Sequence, residues 1–391
     1  MVTRNGNLSL GTVLLALTLL VVPLVGMSAN GATGAQVVVD VEFLGEVVVP
    51  TGTDFGNTEI GGLSSITFDA ARDVYYVLSD DQGNRPTGDP VRYYTVAIDL
   101  SDGTLDDGDV EFIDVTELFE IDTTPFPPGG LDPEGFTLGR KGFFFMSSEG
   151  NTLSTPVLDP FIRRYNPNGE VTADLPIPDK YIPDEPLKGV RFNLSFESLN
   201  VTPNGRVLAT AGEGALFQDG PASTFTNSSL ARILLYDLRK RRPVSEYVYE
   251  VGPWAEPSAI FGVNGIVEVL PIDDVGTMLV MERSFSVGGV LGGGTGNVVV
   301  INEVSIQGAT DVLDNEALYE GGTPVPFVPV FQTEVFAFDN LGIPIDNIEG
   351  MTFGPSLPDG RNTLMIVSDN NFSPGQFTQF ILLALDIEPL E

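Results

Sequence analysis

Carboxylates recur in this chain at one fixed place in a repeated pattern. Five times a short motif carrying Glu, Ser or Asn is followed about 15 residues later by a second motif that ends in acid. The pairs are Gly62-Leu63-Ser64 with Ser79-Asp80-Asp81, Pro133-Glu134-Gly135 with Ser148-Glu149-Gly150, and Phe196-Glu197-Ser198 with Gly212-Glu213-Gly214. Val263-Asn264-Gly265 with Glu282-Arg283-Ser284, and Ile348-Glu349-Gly350 with Ser368-Asp369-Asn370-Asn371, complete the set. The first strand of an antiparallel hairpin starts at the edge where the second strand ends, so each pair presents its acids at one end of its hairpin. If the hairpins close into a ring, one mouth of that ring is lined with acid.

The chemistry open to such a mouth is narrow, because the chain has no histidine and no cysteine. Two carboxylates about 5 Å apart repel by roughly 3 kcal/mol at an effective dielectric near 20. Asp80, Asp81, Glu134, Glu149, Glu197, Glu213, Glu282, Glu349 and Asp369 therefore cannot all stay ionised around one axis without a cation. Hard oxygen donors without imidazole or thiolate select Ca²⁺ first and Mg²⁺ second, and disfavour zinc. The expected metal ligands are Asp80, Glu134, Glu149, Glu213, Glu282 and Asp369, with Asn370 as a neutral carbonyl donor and Asn193 and Asn264 as further carbonyl sources. The competing reading pairs the acids with Arg283, Arg191, Arg85 or Arg232, or uses them to cap backbone amides and lock neighbouring elements together. A Ser-His-Asp hydrolase is excluded by the missing histidine, and there is no Gly-x-Ser-x-Gly elbow. The Gly-rich stretch Gly288–Gly296 reads as a loop, since no strand feeds it into a helix.

The elements that position these motifs are strands. Period-2 alternation and β-branched or aromatic runs occur throughout, and no segment keeps a helical period over three turns. Four strand-like runs can be read in each of the first three units: Ser65–Phe68, Val74–Ser79, Arg92–Leu100 and Val110–Val115 in the first, for example. Glu134 and Glu197 lie 63 residues apart and Glu197 and Glu349 lie 152 apart, which leaves room for two units between the latter pair. A repeat of this length with four strands per unit predicts an all-β propeller of five blades. Six blades is the alternative, if Pro324–Leu341 belongs to a further blade. The fifth unit stops one strand short, and Val37–Val49, strongly β-prone and otherwise unpartnered, is expected to close the ring. Turn signals such as Pro203-Asn204-Gly205 fall where the hairpins need them. Inserts at Gln82–Pro90, Asn151–Pro160, Ala215–Ser229 and Ser284–Thr295 are expected on the acidic face, where loops shape a binding site on a rigid scaffold.

Several of these motifs together resemble a known family. They are Leu63-Ser64-Ser65 with Val77-Leu78-Ser79-Asp80, Asp132-Pro133-Glu134-Gly135, Ser147-Ser148-Glu149, and Asn193 followed by Phe196-Glu197-Ser198-Leu199. Leu279-Val280-Met281-Glu282-Arg283 and Ile348-Glu349-Gly350 with Val367-Ser368-Asp369-Asn370-Asn371-Phe372 follow in order. This series is similar to the phytase-like family named for "esterase-like activity of phytase", from about Glu42 to Ile387. The resemblance implies a secreted propeller and, through its relation to propeller phytases, calcium-dependent phosphoester hydrolysis. One departure is that Gln82-Gly83-Asn84-Arg85 follows Asp80-Asp81, where an Arg directly after Ser-Asp is expected. In a hydrolase of this kind Glu197 and Glu349 are the candidate catalytic carboxylates and Arg283 the group that neutralises the reacting anion. Arg85, Arg191 and Asn193 are candidate substrate contacts. A non-catalytic calcium-dependent extracellular binding propeller is the alternative, and a calcium lactonase or sugar-ester hydrolase a third.

Composition sets the surroundings. Residues 1–35 read as a signal peptide: Arg4 precedes an apolar run from Leu8 to Val25, and small residues follow from Ser28 to Ala35. An uncleaved membrane anchor is the competing reading of that run. Residues 36–391 are expected to form a single domain that is secreted or periplasmic and monomeric. Without Arg4 the domain holds 18 basic against 54 acidic residues. Such an excess repels nucleic acid and anionic lipid, so neither nucleic acid nor membrane is expected as a partner, and the substrate is expected to be a small phosphoester or ester.

Overall fold

The computed structural model describes residues 34–390. All but the last two residues of the expected leader lie outside them. Five four-stranded antiparallel sheets follow one another along the chain as blades I to V. Blade I comprises Leu63–Asp69, Val74–Ser79, Arg92–Ile98 and Val110–Glu117, and blade II Pro133–Leu138, Phe144–Ser148, Phe161–Tyr165 and Val171–Leu175. Blade III comprises Asn200–Val201, Val207–Ala211, Ser229–Asp237 and Arg242–Val251. Blade IV comprises Gly262–Pro271, Thr277–Ser286, Asn297–Ser305 and Phe331–Ala337. Blade V uses Asn347–Phe353, Asn362–Asp369 and Thr378–Pro389, and takes its outer strand, Gln36–Val49, from the start of the domain. That strand pairs along its whole length, from Gln36 opposite Pro389 to Val49 opposite Thr378. The innermost strands of successive blades contact one another around the ring, including blade V against blade I.

The propeller thus has five blades. Pro324–Leu341, the segment that left six open, supplies the outer strand of blade IV through Phe331–Ala337. Sequence and burial agree strand by strand. A middle strand is covered on both faces by neighbouring blades, so Val74–Ser79 is apolar almost throughout and buried from Tyr75 onward. An outer strand faces solvent on one side, and Val110–Glu117 alternates accordingly. The core lies between blades: Ile66, Val77 and Tyr94 of blade I pack on Val367, Phe380 and Leu382 of blade V. Leu279, Met281 and Ile301 of blade IV pack on Met351, Ile366 and Ile381 from the other side.

Candidate functional site

Each innermost strand is irregular at one place near its start. Register shifts fall between Leu63 and Ser65, Pro133 and Phe136, Ile266 and Glu268, and Ile348 and Gly350. An extra residue in a β-bulge is re-aimed out of the ladder, and here the re-aimed residues are Ser64, Glu134, Val267 and Glu349. In blade III a lone bridge between Phe196 and Gly212 puts Glu197 at the equivalent position. Glycine follows the acid where backbones meet. A Cβ on Gly135 would fall 2.7 Å from the Ser198 carbonyl carbon, and one on Gly350 would fall 2.9 Å from the Ser65 Cα. The Glu-Gly pairs of the sequence are therefore a carboxylate aimed at the axis and the space that lets two blades approach.

The second acid of each pair leaves the end of the second strand. Asp80 N donates to the Gly62 carbonyl, Glu149 N to Asp132 and Glu213 N to Ser195. The preceding serines hold this edge: Ser148 Oγ accepts from Asp132 N and Gly150 N, and Ser79 Oγ donates to the Gly61 carbonyl. Ser368, opposite Ile348, places Asp369 in the same way. Blade IV is the exception. Glu282 stands opposite Ile266, the place taken by Ser79, Ser148, Gly212 and Ser368 in the other blades, so the residue that follows it at the axis is Arg283. Four blades contribute an acid at this position, and the fourth blade contributes a guanidinium.

The result is a cluster of eight carboxylates around Arg283, seven of them buried and Asp80 half-buried. Asp80, Glu134, Glu149, Glu197, Glu213, Glu349 and Asp369 are joined by Asp132, two residues before Glu134. Oxygens of Asp132, Glu134 and Glu149 lie within 4.8 Å of one another. Arg283 Nη1 donates to Glu349 Oε1 at 2.5 Å, and its Nη2 is 3.8 Å from Glu213 Oε1. Asn347 Nδ2 donates to Glu349 Oε1 at 2.7 Å and to Asp369 Oδ2 at 3.2 Å, orienting both. Glu149 Oε1 accepts from Ser195 N, while its Oε2, like Glu213 Oε1 and Arg283 Nε, is buried without a partner among the described residues.

Burial first, then repulsion from neighbouring acids, holds Asp80, Glu134, Glu149 and Glu197 well above the usual carboxylate range. Asp132 is pushed up to about 6, by burial and against a hydrogen bond from Gln82. Glu213 reaches about 7, burial outweighing the opposing charge of Arg283, and Asp369 reaches about 8 through burial and the charge of Glu349. The charges of Glu149 and Glu213 oppose the ionisation of Glu197 beside them. One arginine offsets only part of the charge that eight ionised carboxylates would carry.

Other candidate residues are engaged elsewhere. Glu282 is off the axis, accepting from Gly252 N and from Asn264 Nδ2 at 3.1 Å each. Asn370 Oδ1 accepts from Gly62 N and Phe372 N, joining blades I and V, so this carbonyl is committed to backbone. Arg191 donates to the carbonyls of Ala215 and Gly220 and stacks on Phe217. Asn193 is exposed in a turn with φ +54°. Arg85 stands at the rim, paired with Glu59 and stacked at 3.4 Å on Phe372, whose ring covers Gly62 beside Asp80. Asp81 faces away from the cluster, held at 3.0 Å by the fully buried Arg92. Arg232 belongs to a separate buried network with Asp219 and Glu246. Asp132 and Asn347 were not singled out from sequence. Asp132 precedes the strand and Glu134 is re-aimed by the bulge, so no strand period linked the two.

Comparison with known proteins agrees with this geometry. Residues 58–372 match the phytase-like family, "esterase-like activity of phytase". An uncharacterized secreted protein of Arthroderma benhamiae is 24% identical over 192 residues, a match covering 40% of this chain and 35% of that protein. Among solved structures, a GH43_12 protein retrieved from a capybara gut metagenome has a TM-score of 0.39 at 13% identity, covering 85% of this chain and 52% of that one. The tail fiber of Staphylococcus aureus phage P68 has a TM-score of 0.36 at 11% identity, with 88% and 53% covered. At such TM-scores these overlaps carry no argument, and the chain spans only about half of either structure. Five blades with acidic inner edges and a family match over residues 58–372, most of the chain, place this protein in the phytase-like family.

Proposed function

We propose that the acidic mouth is a divalent cation centre, for Ca²⁺ in preference to Mg²⁺, in a secreted hydrolase of a phosphoester or related ester. The observation that carries the cation centre is Glu149 Oε2, without a hydrogen-bond partner among the described residues, in a cluster of eight carboxylates and one guanidinium. A buried carboxylate without a partner is costly, and an oxygen-only donor set suits Ca²⁺. Asp132, Glu134 and Glu149 would hold the ion, with Asp80, Glu213 and Asp369 as further donors. Bound there, the ion would supply Lewis-acid polarisation of a phosphoryl or carbonyl oxygen.

The chain's own groups fill the remaining roles. Arg283 keeps its Nε–H free for an anionic oxygen while Glu349 fixes the guanidinium plane. Glu197, beside Glu149 and Glu213, would be the carboxylate that takes a proton from an attacking water. Arg85 at the rim would meet the substrate's outer charges. Near-complete burial, with Glu149 3% and Glu213 1% exposed, favours a second reading: a cation that locks the blades together in a non-catalytic binding propeller.

Hydrolysis of an aryl phosphate, phytate and an aryl acetate, each with Ca²⁺ and with chelator, separates the two. Calcium-dependent turnover lost in Glu197→Gln supports the hydrolase. A calcium-induced rise in melting temperature without turnover on any substrate leaves the binding propeller.

A further inference from the structure

One sector of the face opposite the mouth, behind blades II and III, is basic. Hairpin turns between first and second strands, and between third and fourth, all lie on that face. In a chain of net charge −35 with only 19 lysines and arginines, four basic residues run consecutively as Arg239-Lys240-Arg241-Arg242 at one such turn of blade III. All four are exposed. Arg206, at the other turn of blade III, and Arg140 and Lys141, at the adjacent turn of blade II, are exposed beside them. The two blades are joined here: Arg140 Nη1 donates to the Asn204 carbonyl at 3.4 Å, and the Arg140 side chain lies over Gly205. Seven of the chain's nineteen basic residues are thus gathered on two neighbouring blades. Nearby acids are few and occupied. Asp237 caps the turn through Arg239 N and Lys240 N and pairs with Lys240 at 3.2 Å, and Asp274 accepts from Asn204 N.

We propose that this basic sector docks on an anionic lipid bilayer. Tips of hairpin turns form a convex array of long cationic side chains, which suits a plane of headgroups better than a single ligand or a strand laid in a groove. The domain's first strand, Gln36–Val49, starts on the same face, at Gln36 opposite Pro389, so the chain enters the propeller from the basic side. Docked in this way, the acidic mouth opens away from the surface. Net charge predicts repulsion from such a membrane. Salt screens over about 10 Å at 0.1 M, however, so the lipid meets the nearest face and not the sum over the molecule. Clustered Lys and Arg near an anionic leaflet are each worth about fivefold in binding.

The test is co-sedimentation of the propeller from Gly31 onward, which contains every strand of the closed ring. Vesicles of phosphatidylcholine alone and with one third phosphatidylglycerol are compared in chelator, so that calcium cannot bridge the acidic mouth to lipid. The variant is Arg239→Gln, Lys240→Gln, Arg241→Asn and Arg242→Gln together. Asn suits the left-handed φ of +53° at position 241, and the turn is held by backbone bonds to Asp237 that survive the change. Circular dichroism checks the fold, and Arg361→Gln controls for loss of charge outside the patch. We expect binding only to anionic vesicles, weakened by high salt and at least about a hundredfold weaker in the quadruple variant, while Arg361→Gln binds as the parent does. Equal binding to neutral vesicles, no effect of the quadruple variant, or association that appears only with calcium would each overturn the proposal. Capture by soluble polyphosphate without vesicle binding would replace the bilayer with a polymeric anion.

Discussion

At the scale of single residues, the site turns on Arg283. It occupies the position where four other blades place an acid, and it gives the cluster its only fixed positive charge. Arg283→Gln leaves Glu349 and Glu213 without their counter-charge, and removing one partner of a buried pair costs about 3–5 kcal/mol. Urea unfolding in chelator should show a loss of that order. Glu149 and Glu282 make a sharper contrast. Glu149→Gln removes a donor with an unpartnered oxygen and should abolish most of the calcium-induced rise in melting temperature. Glu282→Gln touches only Gly252, Asn264 and their surroundings and should leave that rise intact. The motif pattern alone put Glu282 in the ring because it is acidic and follows a strand, as Asp80 and Glu149 do. Only the bulge at Val267 shows that blade IV is displaced by one position, and a bulge is a feature of pairing that one strand's sequence does not display. The acidic edges of the other four blades were legible because their spacing repeats. Asn347 was not, since an amide beside an acid is common at any strand start.

Among the elements, strands were read to within a few residues wherever a blade is regular. Blade II shows this: Phe161–Tyr165 and Val171–Leu175 carry the bounds that their apolar runs suggest. The innermost strand of blade III is shorter than its sequence implies, reduced to Asn200–Val201, because Ser198 Oγ accepts from Ala211 N in place of a ladder bond. The insert of blade IV, which left the blade count open, is held by chemistry its own residues do not reveal. Lys180 Nζ donates to the carbonyls of Leu313 and Asn315 and to Glu246, and Arg232 grips Asp219 while Asp219 accepts from Leu318 N. This buried network docks the insert on blade III. Glu246→Gln leaves Lys180 and Arg232 without their shared carboxylate, and a loss of about 3–5 kcal/mol in denaturant unfolding is expected, with no change in the calcium response. A matched loss in both would mean that the network and the mouth are one cooperative unit.

At the scale of the whole molecule two charge clusters stand out of an acidic surface, an acidic mouth within a ring of blades and a basic patch behind blades II and III. Net charge and the five-fold repeat were legible in the sequence, but the patch was not, since Arg140, Arg206 and Arg239 are far apart until the blades stack. The mouth makes stability depend on pH in a stated direction. Asp132, Glu213 and Asp369 have folded pKa values of about 6, about 7 and about 8, above their unfolded values. The folded state therefore binds more protons than the unfolded one between about pH 4 and pH 8, and stability falls as pH rises through that window. In chelator the melting temperature should be higher at pH 5 than at pH 8, and calcium should raise it more at pH 8, where fewer protons have to be displaced. The most direct test of the cation centre is calorimetric titration of Ca²⁺ into chelator-stripped protein at neutral pH, in two buffers of different ionisation enthalpy. Saturable binding with release of protons, strongly weakened in Glu149→Gln and unchanged in Glu282→Gln, is the predicted result. Absence of saturable binding to the intact protein would contradict the account and leave the acids as protonated, hydrogen-bonded pairs that hold the blades together.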